Sequence, residues 1–470
     1  MSFHGVGLYN RMPEWLEKLR RIVTVEPAIF FYMTSLFLMT PAYQQLIIEK
    51  VCKKLHNNTC NHHEEDEQVE SQASYILLFY TLILSLVSIP PAMLLGSWSD
   101  RVGRRHVLVL PFILSLLSGG VLVAMVLVET MSVYWCLLAA GIIGLTGGHV
   151  SIFLISFSYL ADITIDSSSS RTLRMAVAEA MVFVGGMVGF LLGGFLEQWF
   201  GLLEAFIAYI CCHVFAILYI VLWLRDPRPF GSALSFPSKE EEEQTSSEKS
   251  QSGLFILKYA KLSFQAVFRR RSGQDRLKLQ LLILCTFINN LVSIGETAIL
   301  LLYLKYKPRE FTTEMFGAYN SARMFLLGFG LLGLFPLLMR CFREMTLAKL
   351  SAVFRAASYV LLAFSTNTWM VFLVAVVATP AGITQAVIRS LSSAIVGPDE
   401  QGAMFSFSAS VEATCILLGA VIFNGLYPQT LPTFPGFPFI IMAGFCIIVL
   451  ILMQWISEMP VTHRRLVLQD

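Results

Sequence analysis

Apolar runs of membrane-crossing length alternate with polar connectors along the whole chain. A hydrocarbon core about 30 Å thick takes about 20 residues of helix at 1.5 Å each. Twelve runs meet that length: Ala28–Ile48, Tyr75–Trp98, His106–Val128, Val133–Leu160, Met175–Leu196, Ala205–Leu224, Gln280–Tyr303, Met315–Met339, Thr346–Ser365, Trp369–Leu391, Ala403–Phe423 and Gly436–Ile456. The pattern predicts an all-α membrane protein with twelve transmembrane helices in two six-helix bundles. A long polar stretch divides the sixth run from the seventh. The expected layout is a cytoplasmic tail over 1–27, a first bundle over 28–224, a cytoplasmic linker over 225–278, a second bundle over 279–457 and a tail over 458–470.

Composition agrees and narrows the function classes. The chain is 56% hydrophobic and 14% charged, against roughly a quarter charged in soluble proteins, which removes cytosolic and nucleic-acid-binding readings. The net charge of +2 says little; its distribution says more. With both termini inside, the outer loops hold only Lys50, Lys53, Lys54, Lys305, Lys307 and Arg309, while most other Lys and Arg fall inside, as the positive-inside rule requires. No small-residue cleavage pattern follows Arg11, Lys18, Arg20 and Arg21, so no removable signal peptide is expected. The plasma membrane is the expected location and an endosomal or lysosomal membrane the alternative. Nothing in the sequence fixes an oligomeric state.

Two connectors carry further signals. The loop over 50–73 holds the acceptor pattern Asn57-Asn58-Thr59, which takes a sugar only on an extracellular or lumenal face. Cys52 and Cys60 in the same loop are candidates for a disulfide in an oxidising compartment. The neighbouring His56, His62, His63, Glu64, Glu65 and Asp66 read as a solvated acidic loop, with no metal site expected. In the linker, KEEEEQTSSEKSQS is too polar to bury anything and is predicted to be disordered. The following LFILKYAKLSFQAVFRRR is basic and amphipathic. It lies either on the anionic inner leaflet or beneath the bundle.

After the second run stands GSWSDRVGRRHVL, with Gly96, Asp100, Gly103, Arg104 and Arg105 in a tight inside loop. Glycines permit the sharp turn. A carboxylate with guanidiniums can lock adjacent helix ends and release them when the bundles rock. The segment resembles the signature G-x-x-x-D-R-x-G-R-R of the major facilitator superfamily. The fifth run contains VFVGGMVGFLLGG, whose Gly185, Gly189 and Gly193 let two helices approach closely. Antiporters of the superfamily have a proline where Phe190 stands. Longer stretches, VEPAIF, ADITIDSSSSRTLRMAVAEA, AVIRSLSSAIVGPDEQGAMFS and IFNGLYPQTL before GFPF, resemble the solute-carrier family that contains the proton-coupled folate transporter. The resemblance implies proton symport of a folate-like organic anion by alternating access, with protons as the coupling ion and no other cofactor. The alternatives are a sister carrier for other anionic or zwitterionic solutes, such as cyclic dinucleotides or cell-wall peptides, and a non-transporting receptor or scaffold on the same fold.

Each ionisable residue inside a span costs roughly 2.5–3.5 kcal/mol on insertion scales, so it is a site candidate. Glu179 lies in the fifth run, where the matching glutamate of the resembled family is tied to proton coupling; pairing with Arg174 or with a serine of the preceding loop is its structural alternative. Arg389 matches a family arginine tied to transport, and the alternative is an inner-face anchor whose head snorkels to water. Arg323, Asn290, Glu296 and Glu412 are candidate substrate contacts, with Arg355 and Glu412 alternatively a helix-to-helix ion pair. Arg323 has the stronger claim, because no acid lies within a turn of it. Gln45 and His149 complete the set, His149 as a second proton-coupling group. The chain has no nucleotide-binding glycine loop, H-E-x-x-H pair or nucleophile elbow, so no enzymatic activity is expected.

Overall fold

The computed structural model describes residues 20, 22–55, 67–164, 168–226, 261–271, 273–306, 308–309, 311, 313–430 and 433–459. Asn57, Cys60, the histidine cluster of the first loop and the acidic run of the linker lie outside them. Cys52 is disulfide-bonded.

Among the described residues, the helices before the linker are α1 (Glu26–Leu55), α2 (Glu67–Val102), α3 (Arg104–Leu127), α4 (Trp135–Gly144), α5 (Gly148–Ile163), α6 (Ser168–Trp199) and α7 (Leu202–Leu222). The main helices after it are α8 (Asp275–Lys305), α9 (Thr313–Phe329), α10 (Glu344–Ala363), α11 (Thr368–Val377), α12 (Ile383–Ile395), α13 (Gln401–Thr430) and α14 (Phe437–Glu458). Ten helical segments among the described residues are long and apolar enough to cross a membrane, and an eleventh appears when α11 and α12, bent by 42°, count as one. The first expected span, α1, is long enough at 30 residues. It falls short of the others in hydropathy because Thr34, Ser35, Thr40, Gln44 and Gln45 interrupt its apolar run.

The breaks have local causes. Gly147 and Gly148 take φ of 78° and 56°, a left-handed region open to glycine at little cost, and they split the fourth run into α4 and α5. Thr379–Gly382, with Pro380, forms the 3-10 turn between α11 and α12. The α9 helix passes through a π turn at Gly330–Leu334 before a last turn at Phe335–Leu338.

Glycine lets α6 lie close along α1. Gly185, Gly189 and Gly193 of α6 face the backbone of Phe30, Thr34 and Leu38 of α1; a Cβ on Gly185 would come within 2.8 Å of the Phe30 carbonyl oxygen. The two four-residue spacings run in step, so both backbones approach along one stripe.

The helices before and after the linker meet firmly at the end that carries both tails. There Gly96 of α2 and Gly402 of α13 abut, and the Gly96 N–H donates to Ser406 Oγ at 2.9 Å. Thr172 of α6 donates to Glu344 Oε2 of α10 at 2.7 Å and accepts from the Ser390 hydroxyl of α12. The linker helix 261–268 lies beneath the bundle: Ser263 Oγ donates to the Met93 carbonyl at 2.9 Å, and Arg269 and Arg271 hold Glu400 at 2.6 and 2.8 Å.

Candidate functional site

The Asp100–Arg105 loop folds as a buried lock. Gly103, at φ 108°, makes the turn into α3. Arg104 is 0% exposed and holds Asp100 and Ser99 on α2 and, at 3.0 Å, Asp162 on α5. Asp226 accepts the backbone N–H groups of Arg104 and Arg105 at 3.3 Å each, which satisfies two donors of the first turn of α3. Arg105 donates to the Val221 carbonyl of α7. One carboxylate-guanidinium network thus ties four helix ends together.

Deeper in the bundle, Arg389 of α12 is 6% exposed. Its Nη1 donates to Glu179 of α6 and its Nη2 to Glu412 Oε1 of α13 at 2.9 Å. The guanidinium lies over the rings of Phe157 and Phe153, 4.2 and 5.3 Å from their centroids, where cation–π attraction adds to the ion pairs. One cation facing two carboxylates leaves a negative charge that a proton can neutralise. The bridge also joins the helices before the linker to those after it.

Two cavities lie beside this bridge: Glu179 lines one, and Ala413, the residue after Glu412, lines the other. One, of about 120 Å³, is lined by the charged residues Glu179, Glu296, Arg323 and Arg355 together with the amides of Asn290 and Gln385. Within it Arg323 Nη2 meets Glu296 Oε2 at 2.6 Å, and the Tyr359 hydroxyl donates to the same oxygen at 2.8 Å. Arg355 donates to Asn289 Oδ1, to Ser293 Oγ at 2.6 Å and to the Tyr359 hydroxyl at 3.3 Å. The other cavity, of about 140 Å³, has uncharged walls that include Tyr43, Tyr80, Tyr209, His149 and His213, and Ala413 and Ile416 of α13 close it. Tyr43 and Tyr80 stack there with centroids 4.6 Å apart.

The description "Major Facilitator Superfamily" matches residues 26–420. The chain belongs to the major facilitator superfamily. It is 30% identical over 444 residues to the proton-coupled folate transporter of Bos taurus, covering 91% of each chain. It is 26% identical over 464 residues to the lysosomal proton-coupled steroid conjugate and bile acid symporter SLC46A3 of Gallus gallus, covering 93% of this chain and 94% of that one. The solute-carrier family anticipated from the motifs is therefore its family. In fold it is similar to the human organic anion transporter MFSD10 (TETRAN), with TM-score 0.73, 17% identity, and coverage of 94% of this chain and 100% of that chain.

In this facilitator the anticipated charges mostly converge, though in pairs the sequence did not assign. Arg174 sits 3.9 Å from Glu26, leaving Glu179 to Arg389. Arg389 is buried and does not snorkel. Arg323 is not without an acid: Glu296, on α8, is remote in sequence and adjacent in space. Glu412 pairs with Arg389, so the alternative ion pair between Arg355 and Glu412 is overturned. His149 lines the uncharged cavity and packs edge-on against Phe153, centroids 6.1 Å apart. Gln45 lines neither cavity, although Tyr43, two residues earlier on α1, lines the uncharged one. Tyr359 and Gln385 were missed. Gln385 stands one turn before Arg389 on α12, and that i to i+4 spacing was the signal available.

Proposed function

We propose that this facilitator moves a small organic anion, folate-like, together with protons by alternating access. The observation that carries the reading is the bridge from Glu179 through Arg389 to Glu412, which spans the two sets of helices. A proton on Glu179 removes the buried charge that holds Arg389 to α6, so α6 is freed to move against α12 and α13. Deprotonation on the other side restores the bridge. Closure at the tail-bearing end, expected to be cytoplasmic, leaves the opposite face as the route of entry. Glu179 and His149 are the proton-coupling residues in this scheme; Arg323, Arg389, Asn290, Glu296 and Glu412 form the substrate site. A receptor or scaffold with no cargo would have no use for the charges of Glu179, Glu296, Arg323, Arg355, Arg389 and Glu412 within the bundle. The plasma membrane is the proposed location, with an endosomal or lysosomal membrane as the alternative; either puts the loop that carries Asn57 on the more acidic side.

The names of the relatives support proton coupling and differ over cargo: folate in one, steroid conjugates and bile acids in another, and for a third, from Drosophila melanogaster, "Probable peptidoglycan muropeptide transporter". The tyrosine-walled cavity favours a second reading, a sister solute with a larger uncharged body. Uptake of labelled folate and of a labelled steroid sulfate into proteoliposomes separates the two. Folate uptake that rises as the outside is acidified supports the first reading. Uptake of the sulfate alone moves the cargo to the second, and uptake equal to empty liposomes for both rejects the transporter reading.

A further inference from the structure

The orientation of two buried amides is dictated by a guanidinium. Arginine only donates, so Asn289 turns its Oδ1 towards Arg355 Nη1. Its Nδ2 then donates to Gln385 Oε1 at 2.7 Å. Gln385, having spent its oxygen, ends the chain with Nε2. That atom is buried and has no hydrogen-bond partner among the described residues, although Gln385 is only 5% exposed and lines the charged cavity. Asn290 Nδ2, in the wall of the same cavity, is a second buried donor with no acceptor. Arg355 itself reaches only neutral oxygens, because Glu296 is taken by Arg323. The cavity therefore offers two buried N–H donors with no acceptor, beside a guanidinium that no carboxylate pairs among the described residues. Buried donors are rarely left unmet in folded proteins.

We propose that Gln385 Nε2 and Asn290 Nδ2 dock the oxyanion group of the transported solute, a carboxylate or a sulfate, with Arg355 supplying the neutralising charge and orienting the amides through Asn289. Arg323 stays with Glu296. This rests on the transporter reading and names the chemistry of its substrate site.

The test uses the full-length protein in proteoliposomes under a fixed proton gradient, with labelled folate as the carboxylate probe and labelled estrone sulfate as the sulfate probe. Gln385→Glu keeps the size and replaces the donor with an acceptor. Asn289→Asp offers only acceptors, so Gln385 turns round, donates to it and presents Oε1 to the cavity; the new carboxylate also pairs with Arg355. Both variants raise KM about tenfold or more, the size expected for losing one hydrogen bond to a charged group, with kcat unchanged. Asn289→Asp keeps the proposal testable if Gln385→Glu fails to fold. The probe whose KM moves identifies the docked group. KM within about twofold of wild type in the folded variants, for every probe that is taken up, overturns the assignment. Wild-type vesicles that take up neither probe overturn the transporter reading itself, a loss seen before any variant is made.

Discussion

Arg389 shows how much one buried side chain can hold. It satisfies Glu179 and Glu412 together, and removing one member of a buried pair costs about 3–5 kcal/mol because the partner is left charged and alone. Arg389→Ala is expected to lower the thermal unfolding midpoint of the detergent-solubilised protein sharply. Adding Glu179→Gln and Glu412→Gln to that variant is expected to restore most of the loss without restoring transport. The three residues were legible in the sequence as charges inside apolar runs, since few reasons other than function or pairing keep a charge there. Their partners were not. Arg355 with Glu412 and Arg323 without an acid were both plausible along the chain, and only the packing of α8, α9, α10, α12 and α13 decides between them.

At the level of the helix, the glycine stripe of α6 was legible because four-residue spacing of small residues has one main structural use. The identity of its partner, α1, was not, since any neighbouring helix with a smooth face would serve. Gly189→Leu places a branched side chain against the Thr34 carbonyl and the Phe37 side chain. Overpacking of this kind costs about 1–3 kcal/mol, and a lowered unfolding midpoint with retained helical circular dichroism is the expected outcome. Helix breaks were harder to anticipate than helices. Gly147 and Gly148 interrupt a run long enough to read as one span, so length alone fused α4 and α5 into one element. For the linker helix both the leaflet and the bundle were open, and the ion pairs of Arg269 and Arg271 with Glu400 place it beneath the bundle.

For the whole molecule, the division into two sets of helices followed from the long polar stretch between apolar runs, and the locked loop after α2 was legible because its spacing is specific. The conformational state was not, because one sequence must support closure at either end in turn. Here the tail-bearing end is shut by the abutting Gly96 and Gly402. Gly96→Val places a branched side chain where the Gly402 carbonyl and Ser406 hydroxyl now sit, so that end is expected not to seal. Uptake should fall by about tenfold or more, because each turnover passes through the sealed state, while the unfolding midpoint changes little. An unaltered uptake rate would show that the glycine contact is not part of the cycle.

The bridge through Arg389 is the central claim, and solute-driven proton entry tests it most directly. Vesicles containing the protein and a trapped pH-sensitive dye receive a transported anion on the outside, with the membrane potential clamped at zero. Wild-type protein is predicted to acidify the lumen when solute is added, and Glu179→Gln to exchange labelled for unlabelled solute without any acidification. Acidification of the same rate and extent in the Glu179→Gln vesicles would contradict the account.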